Sequence, residues 1–113
     1  MLFRSLLILH TTGAKSGKER VNPLMYLPDG DRAIIFASKA GMPTNPDWYY
    51  NLVANPAVTV EVGTETYGAN ARVLEGEERE RVWAEQKQRF PQFAEYEAGT
   101  TRTIPVIALA RTA

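Results

Sequence analysis

The sequence contains no cysteine and a single histidine, His10, among its 113 residues. The absence of cysteine excludes disulfides, thiolate-bound metals and a thiol nucleophile. One histidine cannot form a histidine cluster, and neither an H-E-x-x-H motif nor a nucleophile elbow is present. We therefore predict no metal site and no Ser–His–acid hydrolase chemistry. We interpret His10 as a strand residue whose ring is hydrogen-bonded.

The chain also lacks a net charge and a long hydrophobic run. Its 13 basic residues balance 13 acidic residues, so no overall field favours binding to nucleic acid. No apolar run approaches the ~20 residues of a membrane-spanning helix. The opening "MLFRSLLILH" lacks the small-residue cleavage site of a signal peptide, and we interpret it as a strand. We predict a cytoplasmic protein, with attachment at the membrane surface left open.

Positive charge is concentrated near the amino terminus, in the stretch "TTGAKSGKER" at residues 11–20. Two glycines and three cations in a loop are typical of a backbone nest that binds an anion. The stretch is not a nucleotide P-loop, because only three residues separate Gly13 from Gly17 and Glu19 follows Lys18. The alternative is an ordinary solvated hairpin loop, and composition alone does not choose between the two.

Apolar and breaker patterns predict six short strands. They are expected at "SLLILHTT", "RVNPLMYL", "RAIIFASKAG", "AVTVEV", "ETYGANARV" and "IPVIALA". The turn signal "PDGD" predicts a hairpin between the second and third strands, and Gly63 with Thr64 predicts another between the fourth and fifth. Pro23 cannot donate to a strand ladder, which puts its strand at an edge or a bulge.

Two or three helices complete the prediction. "DWYYNLVAN" is expected to begin a helix that Asn45 caps, with Pro46 in its first turn. "GEERERVWAEQKQRF" is expected to be helical and to bury Val82, Trp83 and Phe90, and "QFAEYEAG" to add a further turn. We predict one α+β domain over residues 1–113, a mainly antiparallel six-stranded barrel with helices packed outside.

Aromatic residues gather in "WYY" at residues 48–50 and in Phe90, Phe93 and Tyr96, at intervals of three. Such spacing suits core packing, and an aromatic-lined pocket for a cofactor is the alternative. With so few titratable groups available for catalysis, the protein either takes its chemistry from a cofactor or performs none.

Four separated motifs, "TTGAKSGKERVNPLMY", "ASKAG", "NPDWYYNLVANPAVTV" and "TTRTIPVIAL", occur in an order that resembles the deazaflavin-dependent nitroreductase family. The resemblance runs from about Leu6 to Leu109 and implies the split β-barrel fold of flavin reductases. It also implies coenzyme F-420, an 8-hydroxy-5-deazaflavin whose tail carries a phosphodiester and a polyglutamate. The family pattern G-x-K-S-G-x-x-R holds the phosphate.

On this chain the resemblance implies a large set of cofactor-binding residues. The phosphate loop would comprise Gly13, Lys15, Ser16, Gly17 and Arg20, with Lys18 nearer the polyglutamate. The ring would be lined by Asn22, Pro23, Leu24 and Met25, followed by Ala37, Ser38, Lys39, Ala40 and Gly41, and then by Asn45, Trp48 and Asn51.

The same resemblance implies hydride transfer from the reduced deazaflavin to a planar electrophile, a quinone or a nitroaromatic. Ser38, Tyr96 or solvent would supply the proton. This chain reads "FPQFAEY" where nitroreductases of the family carry "YPxYxxY", so Phe90 and Phe93 replace two hydroxyls and favour quinones. The first strand also starts close to Met1, so the lid or membrane-contacting helix of longer family members is not expected.

Two other functions stay open on the sequence. An FMN-dependent split-barrel oxidoreductase would also need a phosphate site. A non-catalytic deazaflavin-binding or carrier protein would explain the missing tyrosine hydroxyls. The partners expected are a small-molecule cofactor and a planar aromatic substrate, without nucleic acid or a transmembrane segment. Split-barrel relatives are often dimers, so a homodimer is a further expectation.

Overall fold

The computed structural model describes residues 6–112. Its strands are β1 (Leu6–Thr12), β2 (Glu19–Met25), β3 (Leu27–Asp29), β4 (Arg32–Phe36), β5 (Ala57–Val62), β6 (Glu65–Val73) and β7 (Val106–Arg111). Its helices are α1 (Asp47–Ala54), α2 (Gly76–Arg89) and α3 (Gln92–Ala98), with a 3-10 turn at Lys39–Gly41. The strands form one antiparallel sheet in the order β2-β1-β5-β6-β7-β4-β3, and the sheet curls so that β2 approaches β4.

The sheet is covered by apolar side chains on both faces. On β4, Ile35 belongs to a buried cluster that includes Trp48 and Leu52 of α1, and we call this side the α1 face. Ile34 points the other way, into a cluster that includes Trp83 of α2 and Phe93 of α3, which we call the α2–α3 face. Strands buried on both sides read as continuous apolar runs, which explains "AIIFA" in β4 and "VIALA" in β7.

The α+β split-barrel prediction is confirmed, but the structure has seven strands where six were predicted. The second predicted strand is interrupted at Tyr26. Its first part, β2, pairs with β1, and only its last part, β3, forms the expected hairpin with β4. Both the β5–β6 hairpin around Gly63 and Thr64 and the edge position of Pro23 are confirmed.

The helices differ from the sequence prediction in two details. Pro46 occupies the cap position of α1, and the side chain of Asn45 does not cap the helix. Instead, Asn45 Oδ1 accepts a hydrogen bond from Arg102 at 2.7 Å, a long-range contact that competes with capping. α1 also packs Trp48 and Leu52 into a core cluster rather than lying wholly outside the barrel.

In α2, Val82 and Trp83 are buried as predicted, while Phe90 is only half-buried and ends the helix. The position that completes the buried stripe is Gln86, which is 1% exposed. No helix within residues 6–112 is long and apolar enough to cross a bilayer. Ser5, which the first predicted strand includes, and the outermost residues of the predicted 1–113 domain lie outside the described part of the chain.

Candidate functional site: a cleft along the edge strand

A cleft of about 1580 Å³ runs along edge strand β2 and is bounded by the β1–β2 turn, the start of α1, the end of β4 and α3. Because no strand of residues 6–112 pairs with the outer side of β2, the cleft meets side chains from both of its faces. Asn22 and Leu24 project toward the α1 face, and Pro23 and Met25 project the other way. All four line the cleft, as the sequence predicted.

The β1–β2 turn, residues 13–18, is held by its own backbone. The Gly13 amide donates to the Lys18 carbonyl at 2.8 Å, and the Gly17 amide donates to the Gly13 carbonyl at 3.0 Å. Gly17 has a φ of +70°, and a Cβ on Gly13 would lie 2.6 Å from Ser16 Oγ. Both positions therefore favour glycine, one because of its conformation and the other because of space.

The turn presents unsatisfied donors to the cleft. Asn51 Oδ1 accepts from the Ala14 amide at 3.0 Å, and Asn51 Nδ2 donates to Thr11 Oγ1 at 3.4 Å, which fixes the turn on α1. By contrast, the amides of Lys15 and Ser16 have no hydrogen-bond partner among residues 6–112. Adjacent free amides of this kind form a nest that suits an anion.

Three cations surround these amides. Lys15, Lys18 and Arg20 are exposed, and none of them forms an ion pair within the described range. Lys15 and Arg20 line the cleft, whereas Lys18 does not. Since no carboxylate of residues 6–112 neutralises Lys15 or Arg20, their charge is available to a ligand in the cleft.

The one acidic side chain of this turn region, Glu19, is held by a histidine. His10 Nδ1 lies 3.0 Å from Glu19 Oε2, and His10 Nε2 contacts Glu61. The hydrogen bond to Glu61, with smaller contributions from Glu19, raises the pKa of His10 above its usual 6.5. The predicted hydrogen-bonded ring of His10 is confirmed, and it holds the Glu19 carboxylate beside the cationic turn.

The opposite wall of the cleft is aromatic. Phe93 and Tyr96 of α3 line it together with Phe36 of β4. The Phe93 ring lies 5.2 Å from the Tyr96 ring and 5.8 Å from the Phe36 ring, both in edge-on geometry. The core-packing interpretation holds for Phe93, which is buried and also borders the cleft, and the use of this wall by a cofactor stays a prediction. Such a wall suits a flat aromatic molecule.

The short segment 37–45 completes the wall between β4 and α1. Its Ser38 and Lys39 line the cleft, and Lys39 Nζ donates to Thr44 Oγ1 at 3.2 Å. Arg102, which precedes β7, donates hydrogen bonds to this segment from behind.

A family model described as F420H(2)-dependent quinone reductase matches residues 2–111. The chain belongs to this family. An F420H(2)-dependent quinone reductase of Mycobacterium tuberculosis is 40% identical over 108 residues, which are 93% of this chain and 72% of that protein. A solved structure described as an F420-H2 Dependent Reductase superposes with a TM-score of 0.86 at 44% identity and covers 94% of each chain.

A solved structure described as a domain-swapped dimer is equally similar, with a TM-score of 0.86, 44% identity and coverage of 94% of this chain and 80% of that one. The heme storage protein HutZ from Vibrio cholerae is 17% identical with a TM-score of 0.76, a likeness that shows only a shared fold. These matches confirm the resemblance drawn from the four motifs. They do not favour the FMN or carrier alternatives.

In this member of the F420H(2)-dependent quinone reductase family, most of the site residues predicted from the motifs line the same cleft. The cleft is lined by Gly13, Lys15, Ser16, Arg20, Asn22, Pro23, Leu24, Met25, Ser38, Lys39, Trp48, Asn51 and Tyr96. Gly17, Lys18, Ala37, Gly41 and Asn45 do not line it, and neither does Ala40, which belongs to the 3-10 turn. Their part in binding stays a prediction.

Sequence reasoning missed several lining residues, among them Phe36, Asp47, Tyr50 and Gln92. It also missed Arg102, although "TTRTIPVIAL" was one of the quoted motifs. A lone arginine among small and apolar residues ahead of a buried strand was the available signal.

The residues present fit a deazaflavin coenzyme with an anionic tail. The unpaired cations and free amides lie at one end of the cleft, and the aromatic wall belongs to α3. A ligand that contacts both the cations and the aromatic wall needs an anionic part and a planar part.

Proposed function

We propose that this chain is an enzyme that reduces quinones with reduced coenzyme F-420. The observation that carries the proposal is that the unpaired cationic turn and the aromatic wall border the same cleft in a member of the F420H(2)-dependent quinone reductase family. When bound, the coenzyme supplies a hydride from C5 of its reduced ring. The protein's task is to hold that ring and the acceptor in register and to keep water away.

The cationic turn would hold the tail. Arg20 and Lys15 would bind the phosphodiester through charge-assisted hydrogen bonds, joined by the free amides of Lys15 and Ser16. Gly13 and Gly17 would allow the backbone to approach the phosphate closely. Lys18, exposed and just outside the cleft, would meet the polyglutamate.

The remaining predicted residues would form the ring site. Asn22, Pro23, Leu24, Met25, Ser38, Lys39 and Trp48 would contact the deazaflavin, while Ala37, Ala40, Gly41, Asn45 and Asn51 would support it from behind. Residues 1–113 would act together as one deazaflavin-binding domain, because the cleft draws on β2 at one edge of the sheet, on Phe36 of β4 near the other edge, and on α1 and α3.

Proton delivery would fall to Ser38 or Tyr96. Both line the cleft, and neither hydroxyl has a hydrogen-bond partner in the described part of the chain. A quinone reduced by hydride needs one proton to complete the hydroquinone. Phe90 and Phe93 offer no hydroxyl, which favours quinones over nitroaromatics as acceptors.

The test is a binding titration followed by a turnover assay. We expect F-420 to change its fluorescence on titration with the protein and FMN to bind more weakly. Under anaerobic conditions, reduced F-420 with menadione should regain its visible absorbance faster with the protein than without it. Turnover should fall in Ser38→Ala or Tyr96→Phe while F-420 still binds. A reoxidation rate equal to the protein-free rate for every quinone and nitroarene tried would overturn the proposal.

The same proposal covers location and assembly. We propose a cytoplasmic enzyme that touches the membrane surface to reach lipid-soluble quinones. In support, Tyr50, which lines the cleft, is 51% exposed, and Met42 and Val53 are each 52% exposed. Sedimentation with phosphatidylglycerol vesicles tests the contact, and a protein that stays in the supernatant would refute it.

A homodimer, suggested by the domain-swapped relative, is tested by light scattering during size-exclusion chromatography.

A further inference from the structure

Arg102 binds the 37–45 segment at four oxygen atoms. Its Nε donates to the Met42 carbonyl at 2.9 Å, and its Nη2 donates to the Ser38 carbonyl at 2.7 Å. Its Nη1 donates to the Ala37 carbonyl at 3.1 Å and to Asn45 Oδ1 at 2.7 Å. Arg102 itself does not line the cleft. One guanidinium therefore joins the beginning, middle and end of the 37–45 segment to the stretch of chain that precedes β7.

The segment has little structure of its own. Its internal hydrogen bonds run from the Gly41 amide to the Ser38 carbonyl, from the Met42 amide to the Lys39 carbonyl and from Lys39 Nζ to Thr44 Oγ1. Lys39 has a φ of +46°, a positive value that a side chain disfavours. Backbone in such sparsely populated conformations persists only where the surroundings over-determine it. The four bonds from Arg102 contribute to that constraint, together with the bond from the Ala37 amide to the Pro105 carbonyl at 3.0 Å and the packing of α3 on Gly41.

The segment also touches the aromatic wall. A Cβ on Gly41 would lie 2.9 Å from the Tyr96 carbonyl oxygen, so α3 packs directly on the 3-10 turn. A shift of the segment would therefore move Ser38 and Lys39 in the cleft and loosen the support of Tyr96 at the same time.

We infer that Arg102 is a positioning residue that pre-arranges Ser38 and Lys39 for the coenzyme without touching it. Preorganisation raises affinity because the ordering cost is met before the ligand arrives. The identity of the ligand rests on the proposed function, whereas the action of Arg102 on the segment does not. Lysine should replace Arg102 only in part, since an ammonium is a compact charge and lacks the planar fork that reaches four separate acceptors.

The experiment compares Arg102→Ala, Arg102→Lys and a matched control, Arg72→Ala. Arg72 is an exposed arginine that pairs with Glu78, away from the cleft. Hydrogen–deuterium exchange of the peptide covering residues 37–45 is measured on each ligand-free protein, and F-420 affinity is measured by fluorescence. For Arg102→Ala we expect faster exchange in this peptide, a smaller increase around Tyr96, no change elsewhere, and a Kd about tenfold higher. Arg102→Lys should recover only part of both effects, and the control should match the parent protein.

The outcomes separate the two claims. Unchanged exchange at residues 37–45 in Arg102→Ala would overturn the inference, and so would faster exchange with an unchanged Kd. If the parent protein itself does not bind F-420, the proposed function fails, and the exchange measurement still decides whether Arg102 holds the segment. If Arg102→Ala does not fold, Asn45→Ala, which removes the one side-chain acceptor, should show the same two effects to a smaller extent. Parent-like exchange and affinity in both Asn45→Ala and Arg102→Lys would then overturn the inference.

Discussion

Replacing Arg20 by alanine tests the cationic turn most directly. Arg20 is exposed and forms no ion pair within residues 6–112, so its removal leaves no buried partner and should change the free energy of unfolding by less than about 0.5 kcal/mol. A hydrogen bond to a charged group contributes about 1.5 to 3 kcal/mol. If Arg20 binds the phosphodiester, the Kd for F-420 should therefore rise roughly 10- to 150-fold.

Lys18→Ala is the matched comparison, because Lys18 belongs to the same turn but does not line the cleft. Its effect should be smaller and, as an exposed charge acting at longer range, should largely disappear in about 1 M salt. Both affinities are measured by fluorescence titration at low and high salt, with thermal melts as a folding control. A Kd for Arg20→Ala equal to the parent value at low salt would show that Arg20 is not a phosphate ligand.

Three substitutions test the surrounding fold by thermal or chemical denaturation. Gln86→Met should stabilise the protein by about 1 kcal/mol or more, because neither polar atom of this buried amide has a partner among the described residues, and a lower Tm would contradict this. The Lys87 ammonium, 3.0 Å away, lowers the pKa of Glu97 below its usual 4.5. A lowered pKa adds stability above the unfolded-state value and loses it as the pH falls through the folded-state value. Glu97→Gln should therefore be less stable than the parent at neutral pH and equally stable in strong acid; a constant difference would refute the ion pair. Gly41→Ala should cost about 1–3 kcal/mol, because its φ is +78° and a Cβ would lie 2.9 Å from the Tyr96 carbonyl oxygen. An unchanged unfolding midpoint would contradict that clash.

Local sequence chemistry predicted most of the fold. Gly63 and Thr64 form a two-residue turn between alternating strands, and Pro23 lies at an edge because it has no amide to donate. The break at Tyr26 was missed, since "RVNPLMYL" carries no breaker there. The strand divides because its first part pairs with β1 and its last part with β4, a tertiary effect that residue type does not encode.

The candidate site was predicted from the sequence only in part. Glycine and cation spacing indicated an anion-binding turn, and the motif resemblance named the walls of the cleft. Long-range contacts could not be predicted. Asn45 was predicted to cap a helix, but its side-chain oxygen accepts a hydrogen bond from Arg102, 57 positions further along the chain. The burial of Gln86 was likewise not predicted, because a polar residue on a helix is expected to face solvent.

The cationic turn joins the outermost pair of strands, with the remaining strands of the sheet lying on the other side of β1. Insertions or deletions there need not disturb the register of β5, β6 or β7, since β1 is the one strand that pairs with β2 in the described part of the chain. Surface connections tolerate changes of length far better than the strands behind them. A longer or shorter turn would therefore change the shape of the proposed tail site, while the strand pairing that supports the rest of the cleft stays as it is.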